Sequence, residues 1–388
     1  MFKNVIFLTY ASGIGGEMIT YVRMAEWLCL NTDCKVFFAD RRQSPIFPFC
    51  EKRKLKKIEK IFLQYSFHRK TFFIKHKKCG FPEDSIIITN SVFLFKRVKI
   101  IGEQKNNIHV LFLFLEPHTV KDCIGKCNII KKIKKLKNIF FRLKKGNDRN
   151  ALIFQDYPNF NNTKKFYPFL KKKYFSIPIE HFQYRENWHL DTNCLRAGYI
   201  GRNCPSKNNT LYFIADKLNQ YAKKNKVKTT LFIVSDINKN DCIFKKIKSR
   251  FKNINTEFKN TLYNNDLDLF LNEKIDVVFT MGVSCLEAAK LGIVSFSVPA
   301  SNKKLSQRTK IGLLQDFKEF SLGGFAGENN GLVKGYSFEK AITLFRNDYQ
   351  KLSESTYMYA KQYFGIDVVM KKILKYMEET SFNLTDWE

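Results

Sequence analysis

The chain has 388 residues, with 67 Lys+Arg against 36 Asp+Glu for a formal net charge of +31, and 44% hydrophobic and 15% aromatic residues including 38 Phe. That length suits two domains and that apolar content supplies two packed cores, which excludes a disordered or collagen-like chain. The longest apolar runs, such as residues 110–115, are strand-sized and far short of the roughly 18 to 20 residues of a bilayer span, so no membrane-crossing helix is expected.

The first expected element is a strand over residues 5–9. Val5-Ile6-Phe7-Leu8 follows no charged leader and no small-residue cleavage pattern, so it reads as a buried strand and not as a signal peptide. A glycine loop, Ser12-Gly13-Ile14-Gly15-Gly16-Glu17, leads into a helix over 18–30 and a strand over 35–39 that ends at Asp40, a βαβ start. Short apolar strands recur at 85–88, 109–115 and 152–154 between basic helical segments, an alternation that predicts a mainly parallel sheet. Residues 128–145 place Ile129, Ile133, Leu136, Phe140 and Leu143 on one helical stripe, with Lys131, Lys132, Lys134, Lys135, Lys137, Arg142, Lys144 and Lys145 around it. This basic amphipathic helix suits either docking on the sheet or resting on an anionic membrane surface.

The second half repeats the grammar. Strands are expected at 197–200, 230–235, 276–280 and 294–298, helices at 211–223 and 285–291, and a long closing helix over 357–377. The fold class is therefore α/β, with two Rossmann-like domains facing across a cleft: an N-terminal domain over 1–185, a second over 193–355 and a closing helix over 356–380. Charge separates the halves. Residues 1–190 carry 37 Lys+Arg and 15 Asp+Glu, the remainder 30 and 21, so the basic surface belongs to the first half. Ten Cys show no repeating spacing, and Cys123 and Cys127 stand too far apart for a CxxC centre, so reduced thiols in a cytoplasm are expected.

Gly15 and Gly16 at a strand–helix junction would let a ligand approach backbone amides at the positive end of a helix. Met18 occupies the third glycine position of the dinucleotide fingerprint. Tyr167 and Lys171 form a YxxxK, but no Ser stands at the upstream distance a short-chain dehydrogenase needs. Further on, Gly201-Arg202-Asn203-Cys204-Pro205-Ser206-Lys207 puts two cations on a loop entering a helix, an arrangement that suits a diphosphate. Gly282-Val283-Ser284 would offer amides and a hydroxyl at another helix start, and Glu287, one turn in, could accept hydrogen bonds from a ribose diol. Asp266-Leu267-Asp268 has a DxD form, but Asn264-Asn265-Asp266 before an apolar run reads as a helix N-terminus, and no metal is expected.

The pair Gly-Arg-x4-Lys and Gly-x-Ser-x-Leu-Glu-Ala-x3-Gly-Ile-x-x-Phe resembles the donor domain of nucleotide-sugar glycosyltransferases of the GT-B fold, most clearly over residues 196–300. The nearest resemblance is to the large retaining, family 4-like group that includes bacterial lipopolysaccharide and capsule transferases. It implies that Arg202 and Lys207 hold the diphosphate, that Glu287 binds the ribose, and that Gly15, Gly16, Gly282 and Ser284 line the donor. A functional histidine near the end of the strand at 110–115 corresponds to His118, with Glu116 as the competing choice. One position departs: Phe279 stands where the family often carries a second glutamate.

The implied activity moves a sugar from a nucleoside-diphosphate sugar to a glycan or lipid-linked acceptor in surface-glycan synthesis. It needs no metal and no cofactor beyond that co-substrate, has no nucleic-acid partner, and takes place on the inner face of the cytoplasmic membrane. Two other readings stay open: a nucleotide-sugar 2-epimerase of the same fold, and a non-enzymatic basic module for membrane or nucleic acid. The latter shows no RNP, zinc-finger or basic-zipper pattern.

Overall fold

The computed structural model describes residues 2–9, 15–66, 71–74, 81–90, 108–115, 129–186, 188–236, 242–383 and 386. The chain divides into two compact units, one of Met1–Pro178 with Ile366–Glu388 and one of Ile179–Gly365.

In the first unit, β1 (Asn4–Leu8) is followed by α1 (Gly16–Asn31), β2 (Lys35–Arg41), α2 (Ile46–Lys52), β3 (Ile58–Ser66), β4 (Thr71–Ile74), β5 (Ser85–Thr89) and β6 (Ile108–Phe114). Then come α3 (Ile129–Asp148), β7 (Leu152–Phe154) and α4 (Tyr157–Lys164). The sheet runs β4-β3-β2-β1-β5-β6-β7, parallel throughout except that β4 lies antiparallel on β3. Every residue of β1 and β5 is buried, as a sheet covered on both faces requires, which is why these strands read as unbroken apolar runs. Setting β4 aside, the strand order is that of a Rossmann sheet, with its reversal between β1 and β5.

The second unit holds β8 (Cys194–Ile200), α5 (Pro205–Asn225), β9 (Lys228–Ser235), α6 (Cys242–Arg250), β10 (Asn255–Asn260) and α7 (Asn264–Lys274). They are followed by β11 (Val277–Thr280), α8 (Val283–Ala289), β12 (Val294–Ser297), β13 (Gly312–Leu313), α9 (Phe338–Asn347) and α10 (Tyr349–Phe364). Its sheet runs β10-β9-β8-β11-β12-β13, with only β13 antiparallel, and reverses order between β8 and β11. Side chains alternate across it. Val277 and Phe279 join the core that α5 covers with Leu211, Ile214 and Leu218, while Val278 joins Leu267, Leu271 and Leu291 on the opposite face.

At the amino edge of this sheet the buried carboxylate of Asp276 accepts the backbone N–H of Arg196 at 2.8 Å, its guanidinium at 2.8 and 3.3 Å, and the Trp188 indole at 3.2 Å. The guanidinium groups of Arg185 and Arg196 both lie over the Trp188 ring, 4.3 and 4.7 Å from its centre.

Two expected boundaries change. The first unit ends at Pro178 and not at 185, because Arg185 is bound into the second unit by hydrogen bonds to the carbonyls of Ile275 and Asp276 at 2.6 and 3.1 Å. The single closing helix over 356–380 is two helices, α10 and α11 (Ile366–Glu379), the first in the second unit and the other in the first. Gly365 breaks them. Its backbone is extended at φ −57°, ψ 133°, and a Cβ there would stand 2.7 Å from the Lys361 carbonyl. Ile179 pairs with Gly365 and donates to the Phe364 carbonyl at 2.7 Å. Both helices bury one face, so the apolar period continues across the break and conceals it. Among the described residues no helix is long and apolar enough to cross a membrane.

Candidate functional site

In a doubly wound sheet, ligands bind outside the carboxyl ends of the strands where their order reverses. In the second unit that point lies between β8 and β11, and two of the sequence motifs end there. The Thr280 hydroxyl closes the edge by donating to the Ile200 carbonyl at 2.6 Å. Beyond β8, Gly201 donates to the Val234 carbonyl at 3.1 Å. The Tyr199 hydroxyl reaches under the loop to the Lys207 carbonyl at 3.0 Å, and a Cβ on residue 201 would stand 2.5 Å from that hydroxyl. Gly201 is therefore required by the packing of Tyr199. The Asn203 amide bonds the Asp236 carboxylate, and Cys204, with extended backbone, precedes Pro205 at the first position of α5.

Lys207 sits in the first turn of α5. Burial of its ammonium pushes its pKa down to about 8; the thiols of Cys285 and Cys204 oppose that fall, and Arg202 adds to it. Among the described residues neither Lys207 nor the exposed Arg202 has a carboxylate partner. A desolvated ammonium without a counter-charge is costly, and a diphosphate would supply one.

The second motif meets the first through Lys207 and Cys285. The Cys285 thiol is buried, which pushes its pKa up to about 12 against the pull of Lys207. Gly282 begins the turn with φ +70°, ψ −146°, and no atom lies near the place a Cβ would occupy, so it is the backbone conformation that calls for glycine. One expectation is corrected here: the Gly282 amide is already donated to the Leu322 carbonyl at 3.0 Å, so it is not offered to a ligand. The amides of Val283 and Ser284, at the first two positions of α8, have no carbonyl partner within the helix, and the Ser284 side chain is half-buried.

Glu287 is held in place: its Oε2 lies 3.1 Å from Lys290 Nζ, which also lies 2.9 Å from Asp268 Oδ1. Asp266 lies in the first turn of α7, as the helix-start reading expects, while Asp268 serves as the second anion on the buried Lys290. Lys290 escaped the sequence reading, although its i,i+3 spacing from Glu287 was a signal.

The segment around Gly323 escaped it too. The Leu322 carbonyl accepts the Ser297 hydroxyl at 2.9 Å besides the Gly282 amide, and Gly323 has φ +98° with its absent Cβ only 2.3 Å from Ser297 Oγ. Its signal was the Gly323-Gly324 pair in a glycine-poor chain. Phe279 is fully buried and stacks on Phe296 and Phe338 at 5.5 and 4.5 Å, so this position belongs to the core and has no room for a carboxylate.

In the first unit, Gly15 is the N-cap of α1 with extended backbone and Gly16 its first residue, at the reversal beside β1. Residues 10–14, with Gly13, lie outside the described residues, as do His118, Glu116, Cys123 and Cys127. Asp40 is a structural carboxylate: the hydroxyls of Thr9 and Ser44 both donate to its Oδ2 at 2.8 Å and the Arg41 amide to its Oδ1 at 2.6 Å. Tyr167 is buried while Lys171 is exposed. Among the described residues no group of three or more His, Cys, Asp or Glu is placed to hold a metal ion.

No family model and no curated protein matches the sequence. Solved structures match in fold. HepE from Anabaena, solved with UDP and glucose, is similar with TM-score 0.57 and 13% identity over 97% of this chain and 99% of that one. A TarM variant from S. aureus, solved with fondaparinux, α-GlcNAc-glycerol and UDP, is similar with TM-score 0.58 and 12% identity over 96% and 99%. WaaG, a glycosyltransferase involved in lipopolysaccharide biosynthesis, is similar with TM-score 0.53 and 12% identity over 95% and 98%. With both sheets wound in Rossmann order and the likeness running over both units, the chain is an α/β protein of two Rossmann-like domains with the GT-B fold.

Proposed function

We propose that the chain is a glycosyltransferase that moves a sugar from a nucleoside-diphosphate sugar to the hydroxyl of a glycan or lipid-linked acceptor in bacterial surface-glycan synthesis, at the inner face of the cytoplasmic membrane. The observation that carries this reading is Lys207, a half-buried lysine in the first turn of α5 whose desolvated ammonium has no carboxylate partner among the described residues, beside Arg202 at the carboxyl edge of the second sheet. As the glycosidic bond to the donor breaks, negative charge grows on the departing diphosphate. Lys207, Arg202 and the first amides of α8 stand ready to receive it without reorganisation. Glu287, its carboxylate fixed by Lys290, accepts hydrogen bonds from the ribose hydroxyls. The fold likeness to HepE and TarM, both solved with UDP, supports a uridine diphosphate donor.

With Phe279 in the core, the sugar-side group comes from elsewhere, and His118, with Glu116 beside it in sequence, is our assignment for it. The resemblance to family 4-like enzymes supports a retaining, metal-independent transfer.

Incubating the purified protein with a panel of nucleotide sugars, with and without glycan acceptors, tests the reading. Acceptor-dependent release of nucleoside diphosphate is the expected result. Isomerisation of the sugar with the nucleotide still attached would reassign the chain as an epimerase, and failure to bind any nucleotide sugar would remove it from the enzymes.

A further inference from the structure

The second unit contains a cavity of about 200 Å³ walled by α5, by the end of α6 and by the loop that carries residues 304–307. Its lining on α5, from Asn209 through Tyr212, Phe213 and Asp216 to Gln220, follows one helical stripe. At about 100° per residue, Lys207 falls on the opposite face of that helix, with the core residues Leu211, Ile214 and Leu218. The cavity and the Lys207 site are therefore separate. Leu305 is buried in the core and roots the loop, and the Nε2 groups of Gln220 and Gln307 both donate to Asp216 Oδ2 at 2.9 Å, which ties the loop to the helix. A carboxylate only accepts, so these bonds fix the orientation of both carboxamides and leave their carbonyl oxygens as acceptors. Asn209 repeats the pattern, with its Nδ2 donating to the Ser301 carbonyl at 2.9 Å. The rest of the lining is cationic. Arg250 and Lys304 have no carboxylate partner among the described residues, and the Arg250 guanidinium rests over the rings of Tyr212 and Phe251 at 5.3 and 6.0 Å, which holds it without spending its N–H donors. The Tyr212 hydroxyl is shut off from solvent with no hydrogen-bond partner among the described residues, an unmet polar group in the same wall.

We propose that this cavity is a second ligand site, for a monosaccharide that carries an anionic group, with the phosphate or carboxylate on Arg250 and Lys304 and the sugar hydroxyls on the amide oxygens of Asn209, Gln220 and Gln307. Two cations stand against one acid in the lining, and that acid, Asp216, is already engaged by two carboxamides, so the balance of charge selects an anion. Acceptors with their nitrogens committed elsewhere select a ligand rich in donors, and hydroxyl groups on a small ring supply them. The volume sets the size. Sites for drug-sized ligands run from roughly 300 to 1,000 Å³, so this cavity takes one sugar unit and is too small for a whole nucleotide sugar. The inference does not depend on the nucleotide reading, because neither Arg202 nor Lys207 lines the cavity.

The test is titration calorimetry of the full chain with glucose-6-phosphate, glucuronate, glucose and inorganic phosphate, each with and without UDP. At least one of the two acidic sugars should bind, and which of them binds tells a phosphate from a carboxylate ligand. Glucose and inorganic phosphate, each making half of the contacts, should bind at least about tenfold more weakly. Arg250→Gln and Lys304→Gln should each weaken binding of the acidic sugar by about tenfold, with UDP affinity and the circular dichroism spectrum unchanged. Binding that persists in the presence of UDP supports a separate site, and binding of the acidic sugar by a chain that does not bind UDP would remove the nucleotide reading and leave this one standing. Displacement of the acidic sugar by UDP would overturn the proposal, as would failure of both acidic sugars to bind. Inorganic phosphate binding as tightly as glucose-6-phosphate, or undiminished binding when both Arg250 and Lys304 are changed to Gln, would overturn it too.

Discussion

Replacing Lys207 by methionine should move stability and nucleotide affinity in opposite directions. Burial takes this ammonium from the ordinary 10.5 to about 8, so the fold disfavours its charged form at pH 7 by roughly 3 kcal/mol. The sign is fixed by linkage: the unfolded chain holds the proton more tightly than the folded one, so the cost is present in full below about pH 8 and fades as pH rises toward 10.5. Lys207→Met keeps the aliphatic stem and removes the charge, and its melting temperature at pH 7 should exceed that of the wild type. A bound diphosphate pairs the ammonium, so the variant should lose roughly 1.5 to 3 kcal/mol of UDP affinity, about ten- to a hundredfold in Kd. Calorimetry at pH 8 in buffers of differing ionisation enthalpy should register uptake of about half a proton when UDP binds the wild type, and none in the variant. A variant less stable than the wild type with unchanged UDP affinity would show that Lys207 is a packing residue and would remove the diphosphate from this edge of the sheet.

Glu287→Gln should leave the fold intact, because Lys290 retains Asp268, while weakening UDP binding by about 1.5 to 3 kcal/mol; unchanged affinity in titration calorimetry would place the ribose elsewhere. Asp156 caps α4 by accepting the Asn159 amide at 2.9 Å, and burial pushes its carboxyl up to about 7. The folded state therefore holds that proton more tightly, and stability falls as pH rises from near 4 through 7. Asp156→Asn should raise the melting temperature most above pH 7 and less than half as much at pH 5; equal gains at both would refute the titration. Asp276→Asn strips the charge from a carboxylate that binds Arg196 and Trp188, and should cost about 2 to 4 kcal/mol in urea unfolding, with a loss below 1 kcal/mol counting against the clamp. His118→Ala should lower kcat more than nucleotide affinity, and near wild-type turnover would remove His118 from the chemistry.

Local patterns of the amino-acid sequence determined much of this protein. Strands such as β1 and β5, buried on both faces, carry their assignment as uninterrupted apolar runs, and their alternation with helices dictates a parallel sheet. The loop from Gly201 to Lys207 and the turn from Gly282 to Glu287 were legible because a strand, a turn and a helix start within a few residues leave a local signature. β10 left none: it is a polar edge strand with most of its residues exposed, and its pairing with β9 supplies what its side chains do not. The break at Gly365 was hidden because helices on either side of it keep the same apolar period while packing into different units.

What tertiary structure alone decided are the pairings between residues distant in sequence. That the Gly282 amide is spent on Leu322, that Lys290 holds Glu287 together with Asp268, and that Phe279 faces a phenylalanine stack depends on which segments meet. The same is true of Lys207. Sequence marks it as a cation near a helix start, but the depressed pKa that makes it a site for an anion comes from desolvation, while Cys285, some eighty residues further along the chain, opposes the fall; both are properties of position in space.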